Sequence, residues 1–147
     1  MRIAGTLSCS FVNGDGARYV VFVQGCRHNC KGCQNPGTHD FDGGYEVSVE
    51  ELAADIRSHR MIDGITLSGG DPFEQQEECC KLVRMLEPVD VWCYTGYTYE
   101  EIKETELAKL CDVIVDGPFE IDKRVEGKMY GSSNQRIIRV KNDSVTR

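Results

Sequence analysis

Three cysteines, Cys26, Cys30 and Cys33, share one short stretch with the spacing Cys-x-x-x-Cys-x-x-Cys. Three thiolates on a single loop select zinc, copper(I) or an iron-sulfur cluster over harder cations. A structural zinc ion takes four ligands, so zinc would have to recruit His28, His39 or a remote cysteine. A disulfide framework would leave an odd thiol and is disfavoured in a reducing cytosol. A 4Fe-4S cubane held by three cysteines keeps one iron with exchangeable positions, as catalysis needs and simple electron transfer does not. The spacing favours this last reading, with Cys26, Cys30 and Cys33 as the metal ligands and one iron left open.

Such a loop needs rigid elements around it. Residues 19–24, Tyr-Val-Val-Phe-Val-Gln, read as a strand buried on both faces, and Gly25 ends it immediately before the cysteines. Ser48 followed by Glu51 makes a capping box, and Leu52, Ala53 and Ile56 recur at helical spacing up to about His59. A second strand over 64–68 stops at Gly69-Gly70-Asp71-Pro72, and a helix is expected from Glu74 to Leu86. A third strand, 89–94, runs into Thr95-Gly96-Tyr97, after which Thr98 and Glu101 cap another helix. A fourth, 111–115, is closed by Asp116-Gly117-Pro118, and 137–140 is expected to be a final strand. From Asn142 onward the polar tail is expected to fray. Alternating strands and helices imply crossover units, hence an α/β fold with a mostly parallel, curved sheet. It should be a partial (βα) barrel, because a closed eight-fold barrel takes ~250 residues. The loops at the carboxyl ends of the strands should converge on the site.

With 147 residues the chain is expected to form a single domain, 1–147. A net charge of −7, with no run of Lys or Arg, argues against a nucleic acid polymer as partner. No apolar run approaches the ~18 residues of a membrane span, and the first residues are too poor in apolar side chains for a signal-peptide core. A cytoplasmic protein with no membrane partner is expected. The five scattered cysteines, Cys9, Cys79, Cys80, Cys93 and Cys111, read as small buried hydrophobes and receive no chemistry.

The cysteine loop after a first strand resembles the signature of the radical S-adenosylmethionine enzymes, and the resemblance implies a radical SAM fold. It also implies that the open iron chelates the amino and carboxylate groups of S-adenosyl-L-methionine, and that one electron cleaves it to methionine and a 5′-deoxyadenosyl radical. Gly69-Gly70-Asp71 resembles that family's GGE-type motif, whose glycine backbone contacts the ligand's amino group; Asp71 stands where many members carry Glu. The position before the third cysteine is often aromatic there and is Gly32 here, so adenine contacts are assigned to the backbone of Gly32, Cys33 and Gln34.

Further segments are similar to one subgroup, the activases that install a glycyl radical on anaerobic ribonucleoside-triphosphate reductase. These are Asn13-Gly-Asp-Gly-Ala-Arg18, with Asp15 replacing the subgroup's usual proline, then residues 92–97 (WCYTGY), 115–119 (VDGPF) and 131–135 (GSSNQ). The resemblance implies that the substrate is a glycine in a C-terminal segment of the partner reductase, with flavodoxin or a comparable low-potential protein as electron donor. A part-barrel with no cap would leave an open side suited to such a segment. Tyr97, Asp116 and Asn134 fall on loops expected to face the cluster, but neither spacing nor chemistry fixes a role, and no catalytic residue is assigned beyond the cluster. His28, His39 and His59 are not assigned as bases. The alternatives are an activase of another glycyl-radical enzyme, a small radical enzyme acting on a metabolite, or a zinc-stabilised interaction module. Pyruvate formate-lyase activases have the same cysteine spacing but usually a longer chain and an aromatic residue at the Gly32 position.

Overall fold

The structure is a computed structural model that describes residues 1–25, 42–118, 120, 123, 125, 132–140 and, for the backbone, 144–146. Cys26, Cys30, Cys33, Gly32, Gln34, His28 and His39 lie outside the described residues.

Among the described residues, eight strands form one mixed sheet: β1 (Arg2–Ser10), β2 (Arg18–Val23), β3 (Tyr45–Glu46), β4 (Gly64–Gly69), β5 (Val91–Tyr94), β6 (Val113–Asp116), β7 (Arg136–Arg139) and β8 (Ser144–Thr146). Their order across the sheet is β3-β1-β2-β4-β5-β6-β7-β8. The four central strands β2, β4, β5 and β6 run parallel, as the alternation of elements implied. The flanks are antiparallel: β1 pairs with β2 and β3 on one side, and β7 pairs with β6 and β8 on the other. The tail expected to fray instead supplies β8, in which Val145 pairs with Ile138.

The helices are α1 (Val49–Ser58), α2 (Gln76–Leu86), α3 (Tyr99–Ile102) and α4 (Glu106–Leu110). Ser48 Oγ accepts from Glu51 N at 3.0 Å, and Thr98 with Glu101 completes the anticipated capping box. The helix expected from Glu74 instead begins as a 3-10 turn, Pro72–Gln75, because Asp71 caps that turn and Pro72 starts it without an N–H. Thr105 caps α4 and so divides the third crossover in two.

Successive parallel strands are added in one direction across the sheet, and right-handed crossovers then put every helix on the same face. On that face Val21, Val23, Ile65, Leu67, Cys93 and Ile114 pack against Leu52, Ile56, Leu82, Val83 and Leu107 in one core. Each fully buried aliphatic side chain of this kind contributes about 1.5–3 kcal/mol. Strand alternation turns Trp92, Val113 and Val115 to the opposite face, where they cluster with Ile137 and the half-buried Tyr94.

Around Trp92 the amino-terminal ends of the strands are closed by the buried guanidinium of Arg18. The Arg18 side chain is 1 % exposed; its Nη2 donates to Ile65 O (2.7 Å) and Asp90 O (2.9 Å), its Nη1 to Asp15 O (2.9 Å) and its Nε to Thr66 Oγ1 (2.8 Å). Its Nη1 also pairs with Asp90 Oδ2 at 2.8 Å, and the guanidinium lies 5.8 Å from the Trp92 ring centre. Gly14 closes over this hub; its φ is +118°, and a Cβ there would meet Arg18 Cδ at 2.7 Å and Trp92 Cδ2 at 2.9 Å. The segment that resembled a motif before the first parallel strand is therefore the plug at the floor of the sheet. Among the described residues, no helix is long and apolar enough to cross a membrane.

Candidate iron-sulfur and ligand site

The three-cysteine segment follows β2 in the sequence, and Gly25, the last described residue before it, is tied to the turn after β4. Asp71 N donates to Gly25 O at 2.8 Å, and Gly70 N donates to Val23 O at 2.8 Å. Gly69 has φ +99°, and a Cβ on it would stand 2.5 Å from both Val23 N and Val23 O, so only glycine lets the two strands stay this close. Gln75 Nε2 adds bonds to Gln24 O (3.0 Å) and Arg2 O (2.7 Å). The residue before Cys26 and the Gly69-Gly70-Asp71 turn thus form one junction. The Gly70 and Asp71 N–H groups are both engaged by β2 and the residues after it; the other backbone polar group of a glycine is its carbonyl oxygen, the type of acceptor that an ammonium requires.

Asp71 is 0 % exposed, and its side chain reaches across to the loop after β5. Its Oδ1 accepts from Phe73 N (3.1 Å) and Thr95 Oγ1 (2.9 Å); its Oδ2 accepts from Thr95 Oγ1 (2.9 Å) and Gly96 N (2.9 Å). A second link runs alongside, where Tyr97 Oη donates to Glu74 Oε1 at 2.7 Å and the Tyr97 and Phe73 rings meet edge to face at 6.5 Å.

The same stitching continues to the next two loops. Gly117 N donates to Tyr97 O at 2.9 Å, and Tyr99 N donates to Asp116 Oδ2 at 2.6 Å. Asp116, 1 % exposed, sits opposite Arg136 in the β6–β7 register and accepts from Arg136 Nε at 3.0 Å; Arg136 Nη2 closes the pair on Oδ2. Hydrogen bonds to Asp116 and Glu100 hold the Arg136 pKa above its ordinary value. Gln135 Nε2 donates to Gly117 O (2.9 Å) and Asn134 Nδ2 to Pro118 O (2.8 Å). The loops after β4, β5 and β6 and the turn before β7 therefore make one hydrogen-bonded rim along the carboxyl ends of the parallel strands.

This rim brings together Gly69, Gly70, Asp71, Tyr97, Asp116 and Asn134, and it gives the last three positions a concrete task as ties between loops. Sequence reasoning missed Thr95, Glu74 and Arg136. Arg136 follows the 131–135 motif directly, but its partner becomes visible only once the β6–β7 register is known.

Other titratable groups take no part. Cys79, Cys80, Cys93 and Cys111 are buried on the helix side, as expected, and burial pushes the Cys79 and Cys93 thiols well above their ordinary pKa; Cys9, expected to be buried like them, is instead exposed because it lies on the outer part of β1. His59 sits at the end of α1 with Nδ1 2.8 Å from Asp55 O. On the face away from the helices, burial raises the Tyr94 pKa, and its Oη has no hydrogen-bond partner among the described residues.

The family described as a 4Fe-4S single cluster domain matches residues 12–138, which span β2, the cysteine loop and the whole rim. A protein of Enterobacteria phage T4 is 41% identical over 138 residues, covering 88% of each chain. A protein of Vibrio cholerae is 37% identical over 141 residues (87% of this chain, 91% of the relative), and one of Escherichia coli K12 is 35% identical over 139 residues (86% and 90%). All three relatives are named anaerobic ribonucleoside-triphosphate reductase-activating protein. With identities of this size over most of both chains, this chain belongs to the family of the anaerobic ribonucleoside-triphosphate reductase-activating proteins, with a 4Fe-4S single-cluster domain at its centre.

Proposed function

We propose that this protein activates anaerobic ribonucleoside-triphosphate reductase as a cytoplasmic radical S-adenosylmethionine enzyme, with residues 1–147 forming one domain of partial-barrel type. Cys26, Cys30 and Cys33 would hold the 4Fe-4S cluster and leave one iron open. The observation that carries the reading is the junction at the carboxyl end of β2. The 2.8 Å bond from Asp71 N to Gly25 O joins the residue before Cys26 to the Gly69-Gly70-Asp71 turn, which supports a site in which soft metal ligands and backbone acceptors for an ammonium would lie at one sheet edge. That donor set fits a cluster with an open iron and an amino-acid ligand chelating it.

When bound, the cluster would supply the electron that cleaves S-adenosylmethionine reductively, and the resulting 5′-deoxyadenosyl radical would take a hydrogen atom from the reductase glycine. The chain's own part is positional. Gly69 and Gly70 carbonyls would orient the amino group, with Asp71 behind them, and the backbone of Gly32, Cys33 and Gln34 would lie along the adenine. The sheet face that carries no helix among the described residues, lined by Trp92, Val113, Val115 and Ile137, would keep water from the radical. A glycine-bearing C-terminal segment of the reductase would enter from that side, and a low-potential protein such as flavodoxin would reduce the cluster.

Anaerobic reconstitution should load about four irons and four sulfides per chain. Mixing the reduced protein with S-adenosylmethionine and the reductase should then give a glycyl-radical doublet in electron paramagnetic resonance. Cys30→Ala should abolish both cluster and radical; a chain that binds one zinc and no iron would sink the proposal.

A further inference from the structure

We propose that Asp71 acts as a positioning residue for S-adenosylmethionine: clipped to Thr95 and Gly96, it sets the height of the Gly69-Gly70 carbonyls at the sheet edge instead of contacting the ligand through its own carboxylate. The inference rests on the functional reading above and deepens it.

Three observations support it. The Asp71 side chain is completely buried, and both oxygens accept hydrogen bonds from within the protein. Its donors belong to two different places, Phe73 on its own turn and Thr95 and Gly96 on the next loop, so the carboxylate joins the β4 and β5 ends as a bolt joins two plates. Thr95 is itself fixed, since its backbone N donates to Val115 O at 3.0 Å and its Oγ1 accepts from Tyr97 N at 3.1 Å. The turn is therefore pinned from two sides, by β2 through Gly70 N and Asp71 N and by the β5 loop through the carboxylate. Side-chain length also matters: the carboxylate already sits within 3.1 Å of every one of these donors, and an extra methylene would drive it into Thr95 or lift the turn. That gives a physical reason for Asp at a position where the resembling motif carries Glu.

The chemistry predicts an asymmetry among variants. Asp71→Asn keeps the shape but offers one acceptor oxygen, so its NH2 must face the N–H of either Phe73 or Gly96. Thr95→Val keeps the volume and removes the bridging hydroxyl; Thr95→Ser keeps the hydroxyl.

The test uses reconstituted full-length protein reduced with dithionite, with iron content and thermal midpoint measured for each variant. Reductive cleavage is followed against S-adenosylmethionine concentration without the reductase. Thr95→Val and Asp71→Asn should raise KM for S-adenosylmethionine about tenfold, a larger change than any in kcat, with parental iron content, and Thr95→Ser should return KM to near the parental value. The perturbation of the reduced-cluster spectrum on adding S-adenosylmethionine should saturate at correspondingly higher concentration in the two impaired variants. If both lower the thermal midpoint while KM stays parental, the clip is merely structural and the proposal is overturned. If the parental protein itself holds a cluster but cleaves no S-adenosylmethionine, the functional reading fails and the proposal falls with it.

Discussion

The two ends of the same parallel strands solve opposite problems. At the amino-terminal end a single buried guanidinium reaches from β2 across β4 to the start of β5, and Gly14 lets the preceding loop lie flat upon it. Among the described residues, no central group does this at the carboxyl end. Asp71, Tyr97, Asp116, Asn134 and Gln135 instead tie neighbouring loops side to side around the margin. A hub shuts a surface, whereas a chain of lateral ties holds a perimeter in place while leaving its middle available. The difference sets the closed end apart from the end at which the proposed site lies, in keeping with the general habit of parallel α/β sheets.

The contrast can be tested from the strongest effect to the weakest. Arg18→Met should cost about 3 kcal/mol of stability, at the low end for a broken buried pair because Asp90 remains 45% exposed and can rehydrate. A urea unfolding curve measures this, and the KM for S-adenosylmethionine should not change; a shifted KM with normal stability would mean that the floor is part of the site. Gly69→Ala should destabilise by about 2 kcal/mol, from the positive φ together with the clash on Val23. Unlike the floor variant, it should also weaken S-adenosylmethionine binding, so a purely thermal effect would break the distinction between the two ends.

The smallest effect concerns pH. Beside the floor, on the helix side of β2, Tyr19 Oη donates to Asp55 Oδ2 at 2.5 Å, and burial together with this bond raises its pKa to about 12. The folded state therefore favours the protonated phenol. Its contribution is complete below the unfolded value of about 10 and is lost as pH rises through about 12. Tyr19→Phe should flatten the fall in unfolding midpoint over that window, and an unchanged slope would mean that other groups open the base of the sheet.

Much of the fold was legible because its central strands are strongly patterned. The run at 19–24, the Ser48 and Thr98 caps and the glycine-closed strand ends each carry a local signal that the structure reproduces. Among the flanking strands β7 also answers to the short apolar run expected at 137–140, but β1, β3 and β8 carry no such signal. β1 is largely exposed along Ala4–Cys9 and rich in small and polar residues, β3 has two residues, and the polar tail gives no hint of β8; each is fixed by pairing with a neighbour rather than by its own periodicity. The site divides in the same way. The glycine turn and the loop motifs could be read as short strings, but the Asp71–Thr95 contact joins residues 24 positions apart and exists only once β4 and β5 lie side by side. Of the motifs that sequence alone left without a role, the described parts of 92–97, 115–119 and 131–135 contribute ties to one perimeter, whereas 13–18 closes the opposite end.

The bond between Asp71 N and Gly25 O has a practical consequence. An amide proton shared between the turn after β4 and the residue preceding Cys26 exchanges with solvent only when the two separate, so its hydrogen–deuterium exchange rate reads the opening of that joint directly. Loading metal on the cysteine side should slow exchange at a backbone position that touches no metal, giving a clock for assembly that needs neither catalysis nor a paramagnetic signal.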